Sequence, residues 1–149
     1  MGLDAAPYAA DPVCATVLFS TPDSVAGIDR GRTTSQATTA WGKDVTLRCG
    51  LEPPPPSTDR CITVDGVDWL SLDSADPRVP DYAADGAWTF LTYGRTPAIE
   101  VVISSAAVGD GAVTDLLTVF TPAVEAIEPE RACLGLLDAP QVTGEEKSD

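Results

Sequence analysis

The stretch CITVDGVDWL, Cys61 to Leu70, decides how the chain folds. Two short runs rich in β-branched and aromatic residues flank Asp65-Gly66, a pair that favours a two-residue type I′ turn. Pairing Val64 with Val67 sets Ile62 opposite Trp69. Ile62, Val64, Val67 and Trp69 then share one apolar face, while Cys61, Thr63 and Asp68 lie on the other. Turn chemistry and alternation agree on one register, which predicts an antiparallel hairpin.

On the N-terminal side, VTLRC (Val45–Cys49) alternates as a strand should, and the four prolines at 53–56 form a stiff polyproline lip that cannot enter a sheet interior. On the C-terminal side an acidic loop (72–86) leads to two more strand-like runs, 87–94 and 98–103, turned by Gly94 to Pro97. Further upstream, Asp11-Pro12 reads as a helix start, with Cys14, Val17 and Leu18 at helical spacing and Pro22 as the stop. Residues 24–28 read as a short extended piece, followed by polar loop. Trp69 and Trp88 are expected in the core, and Trp41 partly exposed. Downstream, Val113, Leu116, Leu117, Phe120, Val124 and Ile127 make a helical stripe that Pro122 kinks or splits. The architecture expected from these elements is α+β: an antiparallel meander sheet of about four to five strands with two helices packed on one face. Residues 1–10 read as a flexible lead-in, expected to follow a removed targeting segment. Residues 11–138 read as a single α+β domain, and 139–149 as a disordered acidic tail.

Composition excludes several functions. The 149 residues include 9 basic and 23 acidic side chains, a formal charge of −14, which argues against nucleic acid and against anionic membrane surfaces as partners. The sequence contains neither histidine nor asparagine. A Ser-His-Asp triad, a Cys-His dyad and a His-ligated metal are therefore ruled out, as is N-glycosylation. No run approaches the ~20 apolar residues that span a bilayer. The four cysteines, Cys14, Cys49, Cys61 and Cys133, lack any CxxC spacing and read as two disulfides in an oxidising compartment, not a metal site. Of three possible connectivities, Cys14–Cys133 with Cys49–Cys61 is the expected one. Strand parity strains it, because Cys49 falls with Val45 and Leu47 whereas Cys61 falls off the Ile62/Val64 face.

A cysteine after a DP start (Cys14), AWG (40–42), LRCG (47–50), GVDW (66–69), YGR (93–95), Pro97 with IEV (99–101), and RAC (131–133) occur together in this chain. In these motifs the sequence resembles the actinobacterial domain-of-unknown-function family numbered 3515. Asp65-Gly66 stands where that family often has Asn-Gly, which serves the same turn. The resemblance implies an exported protein, secreted or of lipoprotein type, with disulfides and no assigned activity.

Candidate chemistry is sparse. Asp65, Asp68, Asp73, Asp76, Asp81 and Asp85 suggest calcium, but the ligand offsets and closing Glu of an EF-hand are absent, and a solvated acidic loop is the expected reading. Arg30 and Arg32 form the one local basic cluster. Glu100, flanked by Ile99 and Val101 in a strand, is either half-buried with a raised pKa or paired with Arg48 or Arg95. The expected ligand or partner site is an open sheet face bearing Arg48, Asp68, Tyr93, Arg95 and Glu100. No catalytic residue, cofactor or metal is expected. The leading reading is a non-enzymatic binding or accessory module of the cell envelope, secreted or membrane-anchored, with an envelope protein or small ligand as partner. The alternative is a carboxylate-dependent hydrolase acting on cell-wall glycan, which requires Glu100 and Asp68 to face each other at a catalytic spacing.

Overall fold

A computed structural model describes residues 3–33, 35–54, 61–83, 86–109 and 111–133. In chain order the elements are α1 (Pro12–Phe19), β1 (Ser24–Val25), β2 (Ile28–Asp29), β3 (Thr38–Trp41), β4 (Val45–Leu51), β5 (Cys61–Val64), β6 (Val67–Leu72), β7 (Trp88–Thr92), β8 (Ala98–Ile103), α2 (Ser105–Val108), α3 (Val113–Leu117), a 3-10 turn (Thr118–Phe120) and α4 (Thr121–Val124). The opening hairpin forms as the alternation requires. Val64 pairs with Val67 and Ile62 with Trp69, and Asp65 and Gly66 both take positive φ (53° and 82°), as a type I′ turn demands.

The α+β expectation is corrected by the topology. The chain is mostly β: a six-stranded antiparallel sheet ordered β3-β4-β8-β7-β6-β5, a two-stranded sheet β1-β2, and few, short helices. The helical stripe does not form one helix. It breaks into α3, the 3-10 turn and α4, because β-branched Thr118, Val119 and Thr121 favour other backbone and Pro122 sits in the first turn of a new helix. The stripe nevertheless does its packing work, since Leu117, Phe120, Val124 and Ile127 are all buried. The strand β3 lies in the polar stretch read as loop. Its threonines are good strand formers, and all four of its residues are buried.

Nor is the sheet a simple meander. β5 to β8 follow one another in space, but β4 lies beyond β8, so the connection from Leu51 to Cys61 must pass β8, β7 and β6 to reach the far edge. Four strand spacings amount to about 19 Å. Ten residue steps of chain can span that distance, at up to about 3.3–3.6 Å per residue when extended. Pro53 and Pro54 begin it; Pro55 and Pro56 lie outside the described residues, as do Asp85 and the 139–149 tail.

Both faces of the sheet are covered. One carries the main core, in which Val45, Leu47, Val67, Trp69, Phe90, Ile99, Val101 and Ile103 meet α1 and the α3–α4 region. Trp41 is fully buried there, edge-on to Phe120 at 5.5 Å, with its Nε1 donating to the Pro22 carbonyl at 3.1 Å, so it is not the exposed aromatic expected; Trp88 is the half-buried one. The opposite face buries a second apolar group, among them Ala40, Leu70, Leu91, Ala98 and Val102. The N-terminal residues, read as a loose lead-in, lie against this structure. Leu3 and Ala6 are buried, and the Tyr8 amide donates to the Gly50 carbonyl at 2.8 Å. A Cβ on Gly50 would stand 2.6 Å from the Tyr8–Ala9 backbone, which explains the glycine of LRCG.

The disulfides are Cys14–Cys49 and Cys61–Cys133, with Cα separations of 5.6 and 6.1 Å. The expected pairing is thus wrong, and parity is the reason. Cys49 points into the main core beneath α1, where Cys14 sits, while Cys61 pairs with Leu70 on the other face of an edge strand four positions away.

Candidate functional site

Antiparallel register sets Arg48 on β4 directly beside Glu100 on β8. Arg48 holds Glu100 with two parallel bonds, Nε to Oε1 at 3.0 Å and Nη2 to Oε2 at 2.8 Å. The carboxylate is fully buried and the Arg48 side chain is 12% exposed. Tyr82, from the acidic loop, donates its hydroxyl to Glu100 Oε1, and its ring lies 5.7 Å beneath the Arg48 guanidinium. Arg48 also donates to the Asp4 carbonyl at 3.2 Å. This cluster ties the N-terminal segment, the acidic loop and two central strands together. Burial works against the charge on Arg48, but the bonds to Glu100 and its charge, aided by Tyr82 and Asp4, outweigh it and raise the pKa. Burial first, then the Glu100 charge and hydrogen bond, push the Tyr82 hydroxyl far above the ordinary tyrosine range.

The other expected site residues are dispersed. Arg95 is buried and donates through Nη1 to the carbonyls of Val124 (3.2 Å) and Ile127 at the end of α4, where a cation suits the exposed carbonyls. Burial lowers its pKa, partly offset by Glu125 and Asp68. Tyr93 is buried, its amide bonded to the Asp68 carbonyl at 2.9 Å. Asp68 accepts from Thr63 Oγ1 at 2.5 Å and from the Cys133 amide at 2.9 Å. So the structure joins Arg48 with Glu100, adds Tyr82, which the sequence reading missed, and leaves Asp68, Tyr93 and Arg95 outside that cluster, with Tyr93 bonded to Asp68 through the backbone and Arg95 at the end of α4. Glu100 is thus held in a buried ion pair with Arg48 and Tyr82, and Asp68 is bonded instead to Thr63 and the Cys133 amide.

Arg30 and part of the acidic loop are engaged locally. Arg30 bonds Asp23 at 2.8 Å, Thr21 Oγ1 at 2.7 Å and the Leu18 carbonyl at 3.4 Å, closing the end of α1. In the acidic loop Asp73 accepts from the Ala75 amide, and Asp76 holds Arg78, whose hydrogen bonds lower the Asp76 pKa. No three metal-ligating side chains gather among the described residues.

A cleft opens beside Gly94. It has a volume of about 220 Å³ and is lined by Pro53, Pro54, Gly94, Thr96, Glu130 and Arg131. Its wall is the segment after α4, pinned by the Gly94 carbonyl, which accepts from the Glu130 amide at 2.6 Å and the Arg131 amide at 3.3 Å. Gly94 has φ +79°, and a Cβ there would overlap the Arg131 carbonyl. Thr96 Oγ1 donates to Glu130 at 3.1 Å. Arg131 is exposed and makes no side-chain hydrogen bond or ion pair among the described residues. The sequence signals for this cleft are the glycine of YGR, which the sequence places in the turn 94–97, and the arginine of RAC, a motif position.

Fold and site together define a disulfide-bonded, mostly β protein whose buried charges are internally satisfied and which carries a cleft beside Gly94 and Arg131. The chain belongs to the family described as "Protein of unknown function (DUF3515)", whose model matches residues 2–131. No curated protein and no solved structure matches it. The two disulfides fit an oxidising compartment, and no helix among the described residues is long and apolar enough to cross a membrane.

Proposed function

We propose that this chain is an exported, non-enzymatic binding module of the cell envelope, and that it takes a partner protein in the cleft between Pro53-Pro54 and Arg131. The observation that carries the reading is the contrast in charge satisfaction. Arg30, Arg48 and Arg95 are each held by carboxylates or carbonyls within the fold; Arg32, Lys43 and Arg131 have no side-chain partner among the described residues, and of these three Arg131 is the one that lines the cleft. A guanidinium beside rigid prolines suits an extended partner segment that sets a carboxylate against Arg131 and apolar surface on the prolines. Arg131 supplies local positive charge for such a ligand on a protein whose net charge is −14.

A photo-crosslinking amino acid at position 130, with the same residue at Lys43 as control, tests this in the envelope of the native host. A discrete adduct from position 130, absent from position 43 and lost in the Arg131→Ala variant, is expected. Equal labelling at both positions, or an adduct indifferent to Arg131, would overturn the reading.

A further inference from the structure

The two disulfides occupy unlike surroundings. Cys14 and Cys49 are 1% and 0% exposed, sealed between α1 and the sheet. Cys61 and Cys133 are each only partly buried, at the edge strand β5 and the end of the cleft wall. Thiol–disulfide exchange requires a thiolate to reach a sulfur, so an external dithiol meets Cys61–Cys133 first.

That bond lies in a structurally sensitive place. The wall from Glu130 to Cys133 has four anchors: the Gly94 carbonyl holds the Glu130 and Arg131 amides, Thr96 Oγ1 donates to the Glu130 carboxylate at 3.1 Å, Asp68 Oδ2 holds the Cys133 amide at 2.9 Å, and the disulfide holds Cys133 covalently to β5. Glu130, Arg131 and Ala132 are themselves exposed and contribute no buried apolar surface to keep the wall closed. Cys14–Cys49, by contrast, ties α1 to a central strand and touches no residue of the cleft.

We propose that Cys61–Cys133 is a redox latch on the cleft: exchange with a dithiol opens this bond alone, releases residues 131–133 and withdraws Arg131 from the binding position. This rests on the cleft being the binding site. In the exchange one external thiolate attacks a sulfur of the pair, forming a mixed disulfide and freeing the other cysteine as thiolate. The second external thiol then displaces the first cysteine. Cys61 and Cys133 end as two thiols, having gained two electrons and two protons, and the dithiol leaves as its cyclic disulfide.

The native protein is titrated with dithiothreitol, quenched with iodoacetamide and mapped by peptide mass spectrometry. Label is expected on Cys61 and Cys133 at concentrations at least tenfold below those that label Cys14 or Cys49. Labelling of Cys14 or Cys49 at comparable concentrations would overturn the selectivity. Amide exchange at Glu130 and Arg131 is then compared in the oxidised protein, the selectively reduced protein and the C61S/C133S variant. Exchange at least tenfold faster in both opened forms, with core amides of β4 and β8 unchanged, is expected; unaltered exchange at Arg131 would show that the bond is not a latch. Neither readout needs the partner, so the latch can fail while the position-130 adduct persists in the oxidised protein, or hold while that adduct is absent.

Discussion

Removing the Glu100 carboxylate leaves Arg48 charged beneath the N-terminal segment with its two strongest acceptors gone. Glu100 is fully buried and the Arg48 side chain 12% exposed, so little water is at hand to replace them. Breaking one side of such a pair costs about 3–5 kcal/mol, whereas replacing both partners with apolar residues of similar volume is often near neutral. Glu100→Leu and Arg48→Met should therefore each destabilise by about 3 kcal/mol or more, the arginine variant less because Tyr82 still donates to Glu100. The double variant should lose far less than the sum of the two single losses, with a coupling energy of about 2 kcal/mol or more. Urea unfolding followed by circular dichroism, disulfides intact, reads this. With a slope of about 2 kcal/mol per molar, each single loss moves the midpoint down by roughly 1.5 M. If a single variant is too unstable to fold, recovery in the double variant still measures the coupling. Single variants within about 0.5 kcal/mol of the parent, with additive losses, would refute the buried pair, because that is how solvated surface charges behave.

Three further outcomes follow from the same structure. The raised pKa of Tyr82 makes its contribution to stability fully present below the ordinary tyrosine pKa of about 10 and lost as pH rises; absorbance at 295 nm should show a tyrosinate that appears only as the fold is lost and is absent from the Tyr82→Phe variant. Gly94→Ala should cost at least ~2 kcal/mol in urea unfolding, combining positive φ with overlap against the Arg131 backbone; an unchanged midpoint would contradict the close approach. The Thr39 hydroxyl is buried without a partner among the described residues, opposite Leu47 in the core, so Thr39→Val should raise stability by about 1 kcal/mol in the same assay.

What the sequence disclosed depended on range. The β5–β6 hairpin was legible to the residue, because Asp65-Gly66 fixes a local register and alternation checks it. The helix start at Asp11-Pro12 was legible for the same reason: Asp11 Oδ1 accepts from the Val13 amide at 3.0 Å. Strand β3 was not, since TTAW carries its strand preference in threonines, which a search for apolar runs passes over. Parity correctly marked the strain in a Cys49–Cys61 bond, yet sequence proximity outweighed it; a cysteine on a two-sided sheet should be assigned to a face before a partner is sought. Glu100 with Arg48 was among the pairings foreseen, but Tyr82 was invisible because its loop gives no sign of folding over the sheet. The motif residues Arg48, Cys49, Gly50, Gly94, Arg95 and Glu100 all land on pairing, bridging or close-approach contacts, and among the motif positions Arg131 alone presents an unpaired charge to solvent at the cleft.

Disulfide mapping tests the two-faced sheet most directly. Tryptic cleavage after Arg30, Arg48, Arg60, Arg78 and Arg131 places the four cysteines on four separate peptides. Digestion without reductant at mildly acidic pH should yield the peptide containing Cys14 joined to that containing Cys49, and the peptide beginning at Cys61 joined to that containing Cys133. A Cys49 peptide joined to the Cys61 peptide would contradict the strand order and the facing of β4 and β5 together.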